Sequence, residues 1–231
     1  MLLNKQSPNL AVIAATRSLP LEGVQHFPAL SGLSLFNNGI TSVPDISTLT
    51  SLGYLNLGAN SLTAVPDISN LTNLTWVVFS GNSVDILPAY FSNMTALTQL
   101  ELISCNLSDL PDLSNLTNLN KLVVGDNHLT DIPGLEFLST LTNLNVIFNY
   151  LTELPDPAFF PNLTTLSCSN NFLTEADCAL IAGFNPANVN QGPVVGLARG
   201  LHFWGGTFNI NDLIDQVNMG YVGPYTLICG P

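Results

Sequence analysis

The stretch "LPDLSNLTNLNKLVVGDNHL", residues 110–129, places six leucines, four asparagines and one lysine in a run that fits neither an amphipathic helix nor an ordinary strand. Its wording recurs. "VPDISTLT" occupies 43–50, "VPDISNLT" 65–72 and "LPDLSNLT" 110–117. The second half of the phrase obeys a template, L-x-x-L-x-L-x-x-N-x-L, met here by Leu119, Leu122, Val124, Asn127 and Leu129. Copies of it start at Leu30, Leu52, Leu74, Leu97, Leu119, Leu141 and Leu163, in steps of 22, 22, 23, 22, 22 and 22 residues. A fixed period of this length is the mark of stacked small units.

Elementary physics assigns each letter a task. In L-x-L the alternation has period two, so a short strand directs its leucines inward and the intervening residues outward. Proline in P-D-[IL]-S ends a strand ladder, while Asp or Ser bonds the N–H groups that follow, so short 3₁₀ or irregular turns are expected there. Stacking such coils sets neighbouring strands ~4.8 Å apart in one parallel sheet over a continuous apolar interior. A single coil cannot hide its own leucines.

On these residues the chain resembles the leucine-rich-repeat family, in the short bacterial or phage-like form of about 22 residues per repeat, over residues 8–184. The resemblance implies an α/β solenoid: a right-handed superhelix with a parallel concave β-sheet, convex 3₁₀ or irregular turns, a C-terminal capping helix and a small C-terminal appendage. It also implies that the recurrent asparagine turns inward after the strand and bonds backbone groups of its own and the adjacent coil. Asn38, Asn60, Asn82, Asn127, Asn149 and Asn171 would form that ladder, with Cys105 at one rung. A thiol is a weak donor, so local looseness is expected around Cys105. "PNLAVIAATRSL", 8–19, reads as a degenerate first coil with Leu10, Ile13 and Ala15 in the places of Leu163, Leu166 and Cys168. "STLTNLN" at 139–145 matches "SNLTNLN" at 114–120 three residues out of step; the 22-residue spacing is preferred because it satisfies every inward position.

Residues 1–184 are therefore expected to form the solenoid, 185–196 a linker loop and 197–231 an appendage. In "TEADCALIAGF", 174–184, Thr174 is a helix N-cap candidate ahead of acidic residues and of apolar Ala176, Leu180, Ile181 and Phe184, which gives the capping helix. The appendage reads as a strand at 201–204, a helix at 211–218 and a strand at 225–229. It carries Phe203, Trp204, Phe208, Tyr221 and Tyr225 near Arg199 and His202, and a segment this apolar needs cover, on the last coil or in an assembly.

Composition narrows the function classes. Of 231 residues 46% are hydrophobic and 9% charged, with four Lys and Arg against sixteen Asp and Glu, for a formal charge of -12. Phosphate neutralisation requires the opposite balance, which argues against nucleic acid and anionic membrane surfaces. No apolar run approaches the roughly 18 residues of a spanning helix, and "NKQSPNLAVIAATRSLP" makes a poor secretory signal. Cys105, Cys168, Cys178 and Cys229 lack metal-site spacing and read as buried thiols, with Cys168–Cys178 the one pairing to test. His26, His128 and His202 stand in unrelated contexts, and "WGGTF" at 204–208 is a turn. Asp45, Asp67, Asp112 and Asp156 recur as turn caps, short of the six to eight oxygens a calcium ion takes. Sequons at Asn70, Asn73, Asn93, Asn106, Asn115 and Asn162 fall out of the repeated words. No catalytic, cofactor or metal residues are assigned, and the chain is not expected to be an enzyme.

The outward strand positions remain free to choose contacts. One column reads Val12, Gly32, Tyr54, Trp76, Gln99, Lys121, Asn143, Thr165, and the next Ala14, Ser34, Asn56, Val78, Glu101, Val123, Asn145, Ser167; Phe36 and Ile103 belong to a third. Aromatic residues in a polar frame are what binding hot spots use. A protein or glycoprotein partner is accordingly expected on Phe36, Tyr54, Asn56, Trp76, Val78, Gln99, Glu101, Ile103, Lys121 and Val123. The alternative is a structural or attachment component of a larger assembly, such as a virion or cell surface, anchored through 197–231. Deleting 197–231 separates the two: in a pull-down the truncated chain stays competent if the sheet binds, and in a sedimentation assay it drops out of the assembly if the tail anchors.

Overall fold

The computed structural model describes residues 10–12, 24, 27–168 and 170–173. The expected capping helix at 174–184, linker at 185–196 and appendage at 197–231 lie outside the described residues. Among the described residues eight strands of three residues each follow one another: β1 Leu10–Val12, β2 Gly32–Ser34, β3 Tyr54–Asn56, β4 Trp76–Val78, β5 Gln99–Glu101, β6 Lys121–Val123, β7 Asn143–Asn145 and β8 Thr165–Ser167. They form one parallel sheet in sequence order, so every connection advances the chain by one strand. This is the parallel-sheet solenoid of stacked coils that the resemblance implies.

Register reproduces the repeat residue by residue. Leu33, Leu55, Val77, Leu100, Leu122, Leu144 and Leu166 align across β2 to β8, and each is 3% exposed or less. The returning half of each coil adds apolar residues three apart, as in Ile46, Leu49 and Leu52, or Leu113, Leu116 and Leu119. Their spacing follows from successive i→i−3 turns: Leu49 N–H bonds Ile46 O, and Leu52 N–H bonds Leu49 O, both at 2.9 Å. Three coils tighten this into 3₁₀ helices, at Ala89–Asn93, Leu135–Phe137 and Pro157–Phe159. In each P-D turn the aspartate Oδ1 accepts from the N–H two residues on, at 2.9 Å for Asp45–Ser47, 3.0 Å for Asp67–Ser69, 2.9 Å for Asp112–Ser114 and 2.8 Å for Asp156–Ala158. The Ser47 and Ser69 bonds hold the carboxyls of Asp45 and Asp67 below the usual carboxylate range.

The asparagine ladder is the polar seam of this interior. Asn127 is 6% exposed, and its Oδ1 accepts from the N–H groups of Cys105 and Leu107 in the preceding coil. Its Nδ2 donates to Leu102 O in that coil and to Val124 O and Gly125 O in its own. Asn60, Asn82, Asn149 and Asn171 repeat the scheme. Asn38, in the first complete copy, is half-buried, and its Nδ2 donates to Phe36 O. At the Cys105 rung Sγ donates to Phe79 O at 3.4 Å and Ile103 O at 3.5 Å, and the side chain stays fully buried. The rung is kept, with longer and weaker bonds.

Two details of the reading are settled by register. β7 is Asn143–Asn145, paired with Lys121–Val123, so the 22-residue spacing holds where "STLTNLN" is out of step. Gly134, at φ 80°, opens the 3₁₀ helix that absorbs the different wording, and a Cβ there would run into Asp112 Oδ1 and Ser114 N. The first coil requires a correction. Ala11, not Ile13, pairs with Leu33, and Leu10 and Val12 pair with Gly32 and Ser34. Aligning on Ile13 would shorten the first coil by two residues, whereas the observed pairing keeps the common rise; Val12 moves one column over.

Asn127→Ala removes an amide serving five buried backbone groups, and each such group left unpaired costs about 1–3 kcal/mol, partly relieved by relaxation. The expected loss in chemical denaturation is about 3 kcal/mol.

Candidate functional site

On the outward face of the sheet the rigid strand spacing brings the sequence-selected side chains into one network. The rings of Tyr54 on β3 and Trp76 on β4 lie 4.7 Å apart between centroids at 45°. Asn56 Nδ2 donates to Tyr54 Oη at 3.0 Å, and Asn56 Oδ1 accepts from Gly58 N–H at 2.9 Å. Trp76 Nε1 donates diagonally across to Glu101 Oε1 on β5 at 3.1 Å. Lys121 Nζ donates to that same oxygen at 2.8 Å from β6. One carboxylate oxygen thus ties β4, β5 and β6 together.

Charge makes this pairing distinctive. Lys121 is the only Lys or Arg between Arg17 and Arg199, and it is placed on Glu101. With side-chain exposures of 33% and 21% the pair contributes only about 0–1 kcal/mol to stability. Its effect is orientation: it holds the Glu101 oxygen where the indole N–H meets it, so that Trp76 is fixed in place beside Tyr54. A preordered aromatic pair loses little rotamer entropy when a partner covers it.

The remaining sequence-selected residues divide. Gln99 shares its column with Trp76 and Lys121 and is half-buried, as is Ile103, whose N–H bonds Ser80 Oγ at 3.1 Å. Phe36 is 53% exposed and lies over Gly58, where an added Cβ would stand 3.3 Å from the Phe36 ring. Val78 and Val123 occupy outward positions but are only 7% and 8% exposed. They flank Glu101 in a column shared with Asn56 and Asn145, and these longer neighbours leave them little surface to offer a partner. The face is a patch from Phe36 to Lys121, with Tyr54 and Trp76 at its centre.

Among the described residues the two cysteines and two of the sequon asparagines pack into or bond within the stack. Cys168 is a free buried thiol, as is Cys105; Cys178 and Cys229 lie outside the described residues. Asn73 and Asn162, both within sequons, donate their amides to Thr50 O at 2.8 Å and Ser139 O at 3.0 Å of the preceding coil. The repeated word is thus explained by the stack. One surface feature escaped the sequence reading: His128, Tyr150 and Phe172, each one residue after a ladder asparagine, stack on one another from coil to coil. The signal was an aromatic substitution at a 22-residue interval in a position the template leaves blank.

No protein-family model matches this chain, and no curated protein matches it. Solved structures do. An internalin, InlF, from Listeria monocytogenes aligns with TM-score 0.70 and 25% identity over 79% of this chain and 54% of its own. InlJ of the same organism, whose functional domain includes a cysteine ladder, aligns with TM-score 0.63 and 29% identity over 75% of this chain and 37% of its own. The leucine-rich-repeat protein LIC12759 of Leptospira interrogans aligns with TM-score 0.60 and 25% identity over 74% and 51%. The chain thus spans about half the length of the InlF and LIC12759 structures, and less of InlJ. Among the described residues no helix is long and apolar enough to cross a membrane.

Burial pushes the thiol of Cys105 up to about 11, with the backbone of Asn82 and Gly81 countering in part, and burial pushes that of Cys168 up to about 12. Since the thiolate is the reactive form, both should resist a disulfide reagent at pH 7–8 and react fully in denaturant, as read by peptide mass mapping.

Proposed function

We propose that this leucine-rich-repeat solenoid is a non-enzymatic module that recognises a protein or glycoprotein partner on its sheet face, centred on Tyr54, Trp76, Gln99, Glu101 and Lys121. Folds of this kind typically serve as protein-binding modules, because stacking repeats generates an extended surface from positions the core does not constrain. The observation that carries the reading is the Trp76 indole, beside Tyr54 and anchored on the Glu101 oxygen that Lys121 also holds. Large aromatic residues held rigid within a rim of amides and charges are the composition of binding hot spots.

A catalytic reading has less to draw on. Among the described residues no three His, Cys, Asp or Glu side chains gather as a metal set, and the two described thiols are buried. The sheet-face carboxylate is engaged by an ammonium and an indole, an arrangement that orients rather than reacts.

The test is a pull-down from extracts of the source's surroundings with the full chain immobilised, comparing Trp76→Ala with Phe137→Ala, a convex control outside the patch. Trp76→Ala should lower capture of the partner at least tenfold, as expected for a hot spot above about 1.4 kcal/mol, while far-UV spectra and the unfolding midpoint stay near those of the parent. Capture unchanged by Trp76→Ala refutes the sheet-face assignment.

A further inference from the structure

The residue after each ladder asparagine forms a column on the edge where the chain leaves the sheet. In the early coils this column holds Gly39, Ser61, Ser83 and Asn106; in the last three it holds His128, Tyr150 and Phe172. Backbone bonds keep the column straight: the N–H groups of His128, Tyr150 and Phe172 donate to Leu107 O, Leu129 O and Leu151 O at 2.7, 2.8 and 2.8 Å. The rings stack, His128 on Tyr150 with centroids 5.7 Å apart and Tyr150 on Phe172 at 5.8 Å, with interplanar angles of 28° and 22°. Yet Tyr150 is 46% exposed, Phe172 48% and neighbouring Phe148 41%. An aromatic rail this long in a column that holds Gly, Ser and Asn in the earlier coils requires an account.

Phe148 sharpens the point. It sits at φ 51°, left-handed backbone that a bulky L residue adopts only at a cost of about 1–2 kcal/mol. Asn37, Ser104, Asp126 and Asn170 occupy the equivalent turn in other coils, with small or polar side chains. Phe148 instead places a 41% exposed aromatic side chain on that left-handed backbone, two residues before Tyr150.

We propose that residues 197–231 of the same chain cover this rail, seating aromatic side chains on the edges of His128, Tyr150 and Phe172. The rail ends at the coil from which the rest of the chain departs, since residue 174 follows directly on Leu173. Residues 197–231 hold Phe203, Trp204, Phe208, Tyr221 and Tyr225, apolar mass that needs cover of its own. Stacking occupies the faces of Tyr150 and leaves its edge outward, and aromatic edges are the side that accepts the face of another ring. Reach is not limiting: the residues from 174 to 196 extend to roughly 70 Å, against a rail a few coils long. Tethering also gives the tail an effective concentration on the order of millimolar, which a second copy does not match in dilute solution. The proposal is independent of what the sheet face binds.

The experiment places a photoreactive benzophenone amino acid at position 150 of the full chain, preserving an aromatic ring on the rail. Irradiation should yield adducts at monomer mass whose mapped peptides join position 150 to residues 197–231. Covalent dimers, adducts only to other segments, or no adduct at all would each overturn it. A second variant, Tyr150→Ser with Phe172→Ser, removes only exposed rings, and the fold should survive. Hydrogen exchange should then rise at least tenfold within 197–231 while amides of 32–167 are unchanged; identical exchange in the tail refutes the docking.

Discussion

Everything in this molecule depends on satisfying backbone polar groups inside an apolar spiral. Three-residue strands are too short to use their own ladders for long, so the chain turns back while still buried, and the N–H and C=O groups of that turn point into hydrocarbon. An unpaired buried group costs more than an ordinary hydrogen bond contributes. The asparagine amide resolves this with both its ends, accepting from one coil and donating to two. The leucines drive the coils together, but it is the amide that dictates how far one coil is rotated and raised relative to the next. A fixed period follows from that geometry, and a fixed period in turn aligns every outward side chain in a column.

Much of this was legible in the residues. Strand positions, the asparagine seam and the aspartate turns each repeat, and a residue type repeated at one interval reports a position with one physical task. Legibility failed where the task was not repeated. The first coil has neither the asparagine nor the full leucine set, so word similarity placed Ile13 where the backbone seats Ala11. Val78 and Val123 were read as open because they point outward, but direction is not exposure; beside Asn56, Glu101 and Asn145 they are covered. The bond from Trp76 to Glu101 was out of reach because it crosses strands diagonally, and spacing describes rows and columns. Similarly, the rail of His128, Tyr150 and Phe172 was hidden because the template says nothing of that column.

The sheet face shows how a scaffold of neutral parts makes a specific surface. With so few charges, a single ammonium suffices to orient a carboxylate, and the carboxylate to orient an indole. Each member sits on a different strand, so the constellation exists only when the strands are stacked in register. Folding and the preordering of the patch are therefore one event. The likeness to longer bacterial leucine-rich-repeat proteins concerns the stack.

The left-handed turn that closes each strand has a further consequence. It recurs at Asn37, Ala59, Gly81, Ser104, Asp126, Phe148 and Asn170, and only one of these seven is glycine. In a linear array such penalties accumulate coil by coil, roughly as a sum. The spiral therefore carries a distributed reserve of thermal tolerance: installing glycine or asparagine once per turn, without touching any leucine, is a route to a hardier scaffold for display or engineering.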